Sequence, residues 1–371
     1  MREYIDYQKS ICNRGNLYRI KQVMKRAAAG EEITVGFIGG SITQGSLATN
    51  STNCYAYKTF EWWKENFKDA NFTYINAGIG GTTSHFGSAR VEDDLLKFNP
   101  DFVIVEFSVN DDPNEFFLET YEGLVRHIYN FKSKPAVLLV SNVFYDTGSN
   151  AQGQHSKVAR ALELPLVSME SSIYPAVRDG KIKNRDITPD DLHPNDLGHE
   201  LVASVIQYFL DRTMQEMLIG EKPSFEADVL PAAITKNRYE AARRYNSKNT
   251  DAACDGFEVD DEPQADITDC FKNGWKSKTA EASLTLQVTG TEIAVQYRKY
   301  VAGKSPKAKV LVDGNEVAVI DATFDETWGD KLELTPVAGQ LAAGSHEVQI
   351  VTGSEEGLDN PMSIVSIITA G

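Results

Sequence analysis

The stretch Ile33-Thr34-Val35-Gly36-Phe37-Ile38-Gly39-Gly40-Ser41 decides the fold class. Its first six residues form a largely apolar run without polar alternation, which reads as a strand buried on both faces. The glycines after it end it in a tight turn. The pattern recurs, with strand-like runs at Phe72 to Ile75, Phe102 to Phe107, Ala136 to Val143 and Leu164 to Met169. Helical stretches lie between several of them, among them Tyr55 to Phe67 and Glu115 to Phe131. Upstream, Asn16 is expected to cap a helix in which Leu17, Ile20, Val23, Met24 and Ala27 recur at helical spacing, with Gly30 as its stop. After Pro194 a last amphipathic helix uses Leu197, Leu201, Val205, Phe209 and Leu210. Continuous apolar strands alternating with helices predict an α/β domain of three layers. The expected sheet is flavodoxin-like, five-stranded and parallel, and such sheets bind ligands at the carboxyl ends of their strands.

Beyond about residue 220 the character changes. Gly220 and Pro223 punctuate a polar connector, and strict alternation then takes over at Leu284, Leu286 and Val288 and again at Ile293, Val295 and Tyr297. Val310 and Val312 lead into Asp313-Gly314, a two-residue hairpin signal, and Val317 and Val319 lead out. This half predicts an antiparallel β-sandwich of jelly-roll type. Two domains of different class are therefore expected, residues 1–220 and 221–371. That suits a chain of 371 residues, longer than the usual single domain.

A composition 42% hydrophobic and 24% charged is that of an ordinary globular protein. The formal charge of −16 argues against nucleic acid or an anionic membrane as partner, since both attract clustered Lys and Arg. Met1 to Asp6 shows no basic start leading into an apolar run, so a cytoplasmic location is expected. Cys12, Cys54, Cys254 and Cys270 are scattered without metal-ligand spacing, which reads as free thiols in a reducing compartment and no metal site.

Four blocks carry chemistry. Gly39-Gly40-Ser41 sets a hydroxyl at the open edge of the sheet, where glycines permit a tight turn and close approach of a substrate. Asn76 and Gly78 to Gly81 close the second strand, and consecutive glycines expose backbone N–H groups suited to an oxyanion. A phosphate loop competes for that block, but position 83 is Thr where the third glycine of a dinucleotide fingerprint would stand. Val109-Asn110-Asp111 offers a side-chain amide, the neutral donor an oxyanion site wants; Asp111 and Asp112 read as turn or supporting residues. In Asp190-Asp191-Leu192-His193-Pro194 one loop can deliver a carboxylate and its imidazole, with Asp190 and Asp191 both open as the carboxylate. His85, just after the glycine loop, is a candidate for the pocket wall. In the second half Trp275 could be core. Trp328, set among Asp325, Glu326 and Asp330, reads as an exposed ring, and with Asp330 it is a candidate sugar contact.

Together these blocks resemble the SGNH or GDSL-type hydrolase superfamily, over roughly residues 33 to 217. The resemblance implies Ser41 as nucleophile, Asp190 and His193 as its relay, and an oxyanion site of Gly81 and Asn110 with the N–H of Ser41. Two departures are visible: Gly40 stands for the Asp of Gly-Asp-Ser, and Ser108 for the Gly usually two before the block-three Asn. With Gly-Gly-Ser-Ile-Thr and a C-terminal β-sandwich, the chain is most similar to the family-17 carbohydrate esterases. Those are mannan 2-O-acetylesterases whose sandwich resembles a carbohydrate-binding module. The resemblance implies an acetylated oligosaccharide as substrate and no cofactor; a calcium ion in the sandwich is an analogy without a calcium loop in the sequence. The connector after Met217 is short and has no long Gly/Ser stretch, so the sandwich is expected to help shape the site. An acyltransferase or lipid-type esterase is the alternative, and a carbohydrate-binding protein with a vestigial hydrolase sheet a more distant one.

Overall fold

The computed structural model describes residues 1–220 and 230–371. These form two compact units, Met1–Glu240 and Ala241–Gly371. Pro223 lies outside the described residues, and so does the start of the expected second domain at 221.

The first unit runs β1 (Ile11–Asn13), α1 (Tyr18–Ala28), β2 (Glu32–Gly39), α2 (Ser41–Gln44), α3 (Tyr55–Asn66), β3 (Asn71–Gly78), α4 (Ser84–Asp94), β4 (Phe102–Glu106) and α5 (Glu115–Asn130). It continues with β5 (Ala136–Ser141), α6 (Gln152–Ala161), β6 (Leu166–Ser168), α7 (Tyr174–Arg178), α8 (Asn184–Ile187) and α9 (Asp196–Ile219). The sheet order is β1-β6-β5-β4-β2-β3. Neighbours from β6 to β3 are parallel, whereas β1 is antiparallel to β6. The sheet thus has six strands where five were expected. Ile11-Cys12-Asn13 carries no apolar run, and it is extended because it pairs with the free edge of β6, a contact no local pattern announces.

Every residue of β4 and β5 is buried, as two covered faces require. Val35, Phe37, Ile104, Leu138 and Val140 share one core with Met24 of α1, Trp63 of α3 and Phe209 of α9. The alternate residues Val103, Val105, Val137 and Leu139 are equally buried on the opposite face, where α4, α5 and α6 pack against the strands. Asn16 Oδ1 accepts the N–H of Tyr18 at 2.9 Å, and Gly30 takes φ +81° after the helix ends. The segment 230–240 fastens to α5. Buried Glu122 accepts the N–H groups of Ile234 and Thr235, both at 2.9 Å, and Glu119 takes the guanidinium of Arg238 at 2.6 Å.

The second unit comprises β7 (Arg243–Tyr245), β8 (Ala253–Asp255), β9 (Phe257–Val259), β10 (Trp275–Ser277), β11 (Ser283–Thr289), β12 (Glu292–Lys299), β13 (Lys307–Val312), β14 (Asn315–Asp321), β15 (Lys331–Ala338), β16 (Ser345–Thr352) and β17 (Ser363–Ala370). One antiparallel sheet has the order β15-β12-β17-β10-β9 with β7 also on β17; the other has β14-β13-β16-β11-β8. Leu284, Leu286 and Val288 meet Ile293, Val295 and Tyr297 in a common core that also takes Trp275. Asp313 and Gly314 both adopt positive φ, +50° and +77°, as a two-residue hairpin between twisted strands demands.

Candidate active site

Neither glycine at the exit of strand β2 has room for a side chain. A Cβ on Gly39 would lie 2.2 Å from Thr43 Oγ1 and 2.5 Å from the carbonyl of Glu106. One on Gly40 would lie 2.2 Å from Asn110 Oδ1. Gly40 therefore lets the Asn110 carboxamide come up against the turn, which gives the departure from Gly-Asp-Ser a steric reason. Ser41 begins the single turn of α2, so its N–H has no acceptor within the helix.

The loop before α9 brings His193 to this serine. Its Nε2 is 2.8 Å from Ser41 Oγ, and its Nδ1 is 2.6 Å from Asp190 Oδ2. Asp190 Oδ1 also accepts the N–H groups of Leu192 at 3.1 Å and His193 at 2.7 Å. Partial burial alone would raise the pKa of Asp190. The hydrogen bonds from the His193 ring and from these two N–H groups outweigh it and hold the carboxyl below its usual range. Asp191 turns the other way, with φ +72°, and its oxygens are taken by Asn184 Nδ2 at 2.6 Å and Arg185 Nη2 at 2.7 Å. Of the two carboxylates the sequence leaves open, Asp190 is the one beside the imidazole.

The glycine loop after β3 is knitted to α2 by two carboxamides. Asn76 accepts the N–H of Gly78 at 2.9 Å and donates to the carbonyl of Thr43 at 2.8 Å. Gln44 Oε1 accepts the N–H of Gly80 at 2.6 Å. With Gly78 and Gly80 so engaged, Gly81 is left at φ +68° with an N–H that no group among the described residues accepts. Asn110 is anchored by its own N–H on the carbonyl of Phe107 at 3.0 Å. Its Oδ1 is buried without a hydrogen-bond partner among the described residues.

Beneath these loops lies a buried polar layer. The Ser108 N–H donates to Glu106 Oε1 at 3.1 Å, and its hydroxyl sits 3.1 Å from the same oxygen and 3.0 Å from the carbonyl of Asn142. The second departure, Ser108, thus has a place as a tie below the Asn110 turn. Burial pushes the Glu106 carboxyl up to about 7. Asp111 accepts from the N–H of Ser84 at 2.8 Å and pairs with His155 Nε2 at 3.1 Å; the His155 ring stacks on Tyr121 with centroids 3.5 Å apart. Arg90, fully buried in α4, donates to the carbonyls of Ala77 at 2.8 Å and Gly39 at 3.2 Å. The reading of the sequence missed Arg90, Gln44 and Glu106. Arg90 and Gln44 act through partners distant in the chain and Glu106 through its burial, and the only local hint was a charged residue interrupting an otherwise small and apolar stretch at Arg90.

The other candidates fall elsewhere. His85 is buried between the rings of Phe116 and Tyr239, and burial drives its pKa down to about 3, so it is a neutral packing group. In the second unit Trp328 is 63% exposed, its ring edge-on to Phe324 at 5.1 Å. Asp330 spends its carboxylate on Arg298, at 2.6 Å, and on the N–H of Val301, at 3.0 Å; it holds the loop and presents no free oxygen pair. Trp275 is core. Among the described residues no cluster of three or more His, Cys, Asp or Glu could hold a metal ion, and no helix is long and apolar enough to cross a membrane.

Residues 37–201 match the model of the GDSL-like lipase/acylhydrolase family. The chain is similar to a crystal structure of a two-domain esterase active on acetylated mannans. Identity is 53% and the TM-score 0.95, over 99% of each chain. It is equally similar to that esterase co-crystallised with mannopentaose, at 53% identity and a TM-score of 0.94, over 99% of this chain and 98% of the other. No curated protein sequence matches the chain.

Proposed function

The chain belongs to the GDSL-like lipase/acylhydrolase family, and from that premise we propose that it is a serine esterase that removes O-acetyl groups from acetylated manno-oligosaccharides. The observation that carries this reading is the hydrogen-bonded series Ser41 Oγ, His193 Nε2, His193 Nδ1 and Asp190 Oδ2, with steps of 2.8 and 2.6 Å. In that arrangement His193 carries its proton on Nδ1 toward Asp190, and its Nε2 is free to accept the Ser41 proton. Ser41 Oγ attacks the acetyl carbonyl carbon, and His193 then returns the proton to the departing sugar oxygen. Water, deprotonated by the same imidazole, releases acetate from Ser41. The negative charge of each tetrahedral intermediate falls to the N–H groups of Ser41 and Gly81 and the amide of Asn110. No redox or group-carrying cofactor enters these steps.

The mannan substrate rests on the 53% identity to an esterase active on acetylated mannans, and the 2-O position on the resemblance to the family-17 esterases. The second unit reads as a carbohydrate-binding module whose exposed Trp328 gives a sugar an aromatic face. Cys12, Cys54 and Cys254 are free thiols, which suits a cytoplasmic enzyme working on imported oligosaccharides. A vestigial sheet is disfavoured by the intact series at Ser41, and a lipid-type esterase by the polar stretch Tyr145 to Gln154. Acetate release from a panel of acetylated manno-, xylo- and gluco-oligosaccharides, with the positions lost tracked by NMR, tests the reading. Preferential loss of mannose acetyl groups is expected, and indifference to the sugar would remove the mannan assignment.

A further inference from the structure

Arg90 is the largest charged side chain among the fully buried residues of the protein. Taking a guanidinium out of water costs several kcal/mol unless its donors find acceptors, and here the acceptors are unusual. One is a carboxylate, that of Asp94, one turn along the same helix at 3.1 Å. Two others are backbone carbonyls, Ala77 at 2.8 Å and Gly39 at 3.2 Å. Gly39 is the last residue of β2 and Ala77 the last but one of β3, neighbouring parallel strands with Ile38 opposite Ala77 and Gly39 opposite Gly78.

Each carbonyl stands at the root of a segment that carries chemistry. Gly39 is two residues before Ser41, and its carbonyl also accepts the N–H of Ile79 at 3.1 Å. Ala77 opens the glycine loop, and the next N–H, that of Gly78, is already fixed on Asn76. A single planar fork therefore holds both peptide segments from below, at the points where regular sheet bonding ends. The Gly81 N–H and the Ser41 N–H lie just beyond those points. Lys could supply the charge but not the two divergent donors of a rigid fork.

Building on the esterase reading, we propose that Arg90 is a positioning residue for the reaction. By holding the Gly39 and Ala77 carbonyls it fixes the two segments that present the nucleophile and the backbone oxyanion donors. Preorganised donors act only as negative charge develops, so their loss falls on kcat and not on substrate binding.

The test compares Arg90→Met, which removes fork and charge, with Arg90→Lys, which keeps a charge, on phenyl acetate and on an acetylated manno-oligosaccharide. Rates are taken per folded molecule, with the folded fraction from thermal melting, and Ser41→Ala is run alongside. The expected result is a kcat loss of at least about 100-fold for Met and about 10-fold for Lys. It should be equal on the two esters, with KM within about twofold. A kcat per folded molecule near wild type in either variant overturns the proposal, because Arg90 would then only hold the fold together. So does a loss confined to KM. An inert Ser41→Ala beside unaffected Arg90 variants separates that failure from failure of the esterase reading itself, which would show as an active Ser41→Ala.

Discussion

Substituting Gly40 by Ala places a single methyl group between the turn that carries Ser41 and the proposed oxyanion donor Asn110. The added Cβ would lie 2.2 Å from Asn110 Oδ1, 2.9 Å from its Cγ and 3.2 Å from Nδ2. Carbon and oxygen need about 3.2–3.4 Å, so the Asn110 carboxamide has to retreat by about 1 Å. Gly40 has φ −88°, outside the left-handed region that favours glycine, so the cost lies in the contact with Asn110. The displaced group is the proposed oxyanion donor, and misplacement by about 1 Å costs on the order of 100-fold in rate. Complete loss of one such donor costs about 10²–10³, or roughly 3–4 kcal/mol of barrier. The variant is expected to fold with about 1–3 kcal/mol less stability, as for other overpacked sites. It should lose about 100-fold in kcat with KM nearly unchanged, in steady-state kinetics on phenyl acetate. Asn110→Ala should show a similar loss, and the double variant little more than either alone, because both changes strike the same donor. Wild-type kcat in Gly40→Ala, or losses that multiply in the double variant, would refute this view of Asn110.

Asp190→Asn should lower kcat by about 10⁴, since the imidazole loses the partner that sets its tautomer; Asp191→Asn, whose side chain faces Asn184 and Arg185, should cost far less, and kinetics in the reverse order would show the wrong carboxylate. Glu106 has its folded pKa raised from 4.5 to about 7, so the folded protein binds the extra proton; its stability is greatest below the unfolded value and falls as pH rises from about 4.5 to about 7, by roughly 3 kcal/mol. Glu106→Gln lacks this titration, so denaturant unfolding should show the variant gaining on wild type over that window, and a difference independent of pH would rule the buried neutral acid out. Trp328→Ala should weaken kcat/KM on acetylated oligosaccharides while sparing phenyl acetate; equal losses on both would mean folding damage, and no loss on either would leave the second unit uninvolved in turnover.

The parts of this protein that were legible in its sequence are those written locally. The apolar runs at Ile33, Phe102 and Ala136 announce buried strands because a parallel sheet with both faces covered has no polar side to alternate with. The Asp313-Gly314 pair announces its hairpin because few residue pairs accept two positive φ values. Ser41, Asn110 and His193 could be singled out for a similar reason, each standing at a strand or helix end beside residues that serve turns. What stayed hidden depends on partners far along the chain. Asp190 and Asp191 are chemically equal until Asn184 and Arg185 claim one of them. His85 sits beside the glycine loop in sequence, yet α4 turns it into an aromatic cluster with Phe116 and Tyr239. Asp330 looked free beside Trp328, but Arg298, on a different strand, neutralises it. The edge strand β1 has no sequence signal at all, since it exists through an unpaired edge. Arg90 shows in the sequence only as a charge in a small and apolar stretch, because two of the acceptors of its fork are carbonyls.

The central claim is that Ser41 is the atom-donating centre of an acyl transfer, and Ser41→Ala measures it most directly. The serine side chain is small, and its hydroxyl bonds only His193 among the described residues. The variant should therefore melt like wild type while acetate release from acetylated manno-oligosaccharide falls by about 10³-fold or more, the remaining rate reflecting the oxyanion donors alone. Wild-type protein quenched during turnover of an activated acetate should carry an added mass of about 42 Da that the variant lacks. A folded Ser41→Ala that still releases acetate near the wild-type rate would contradict the account.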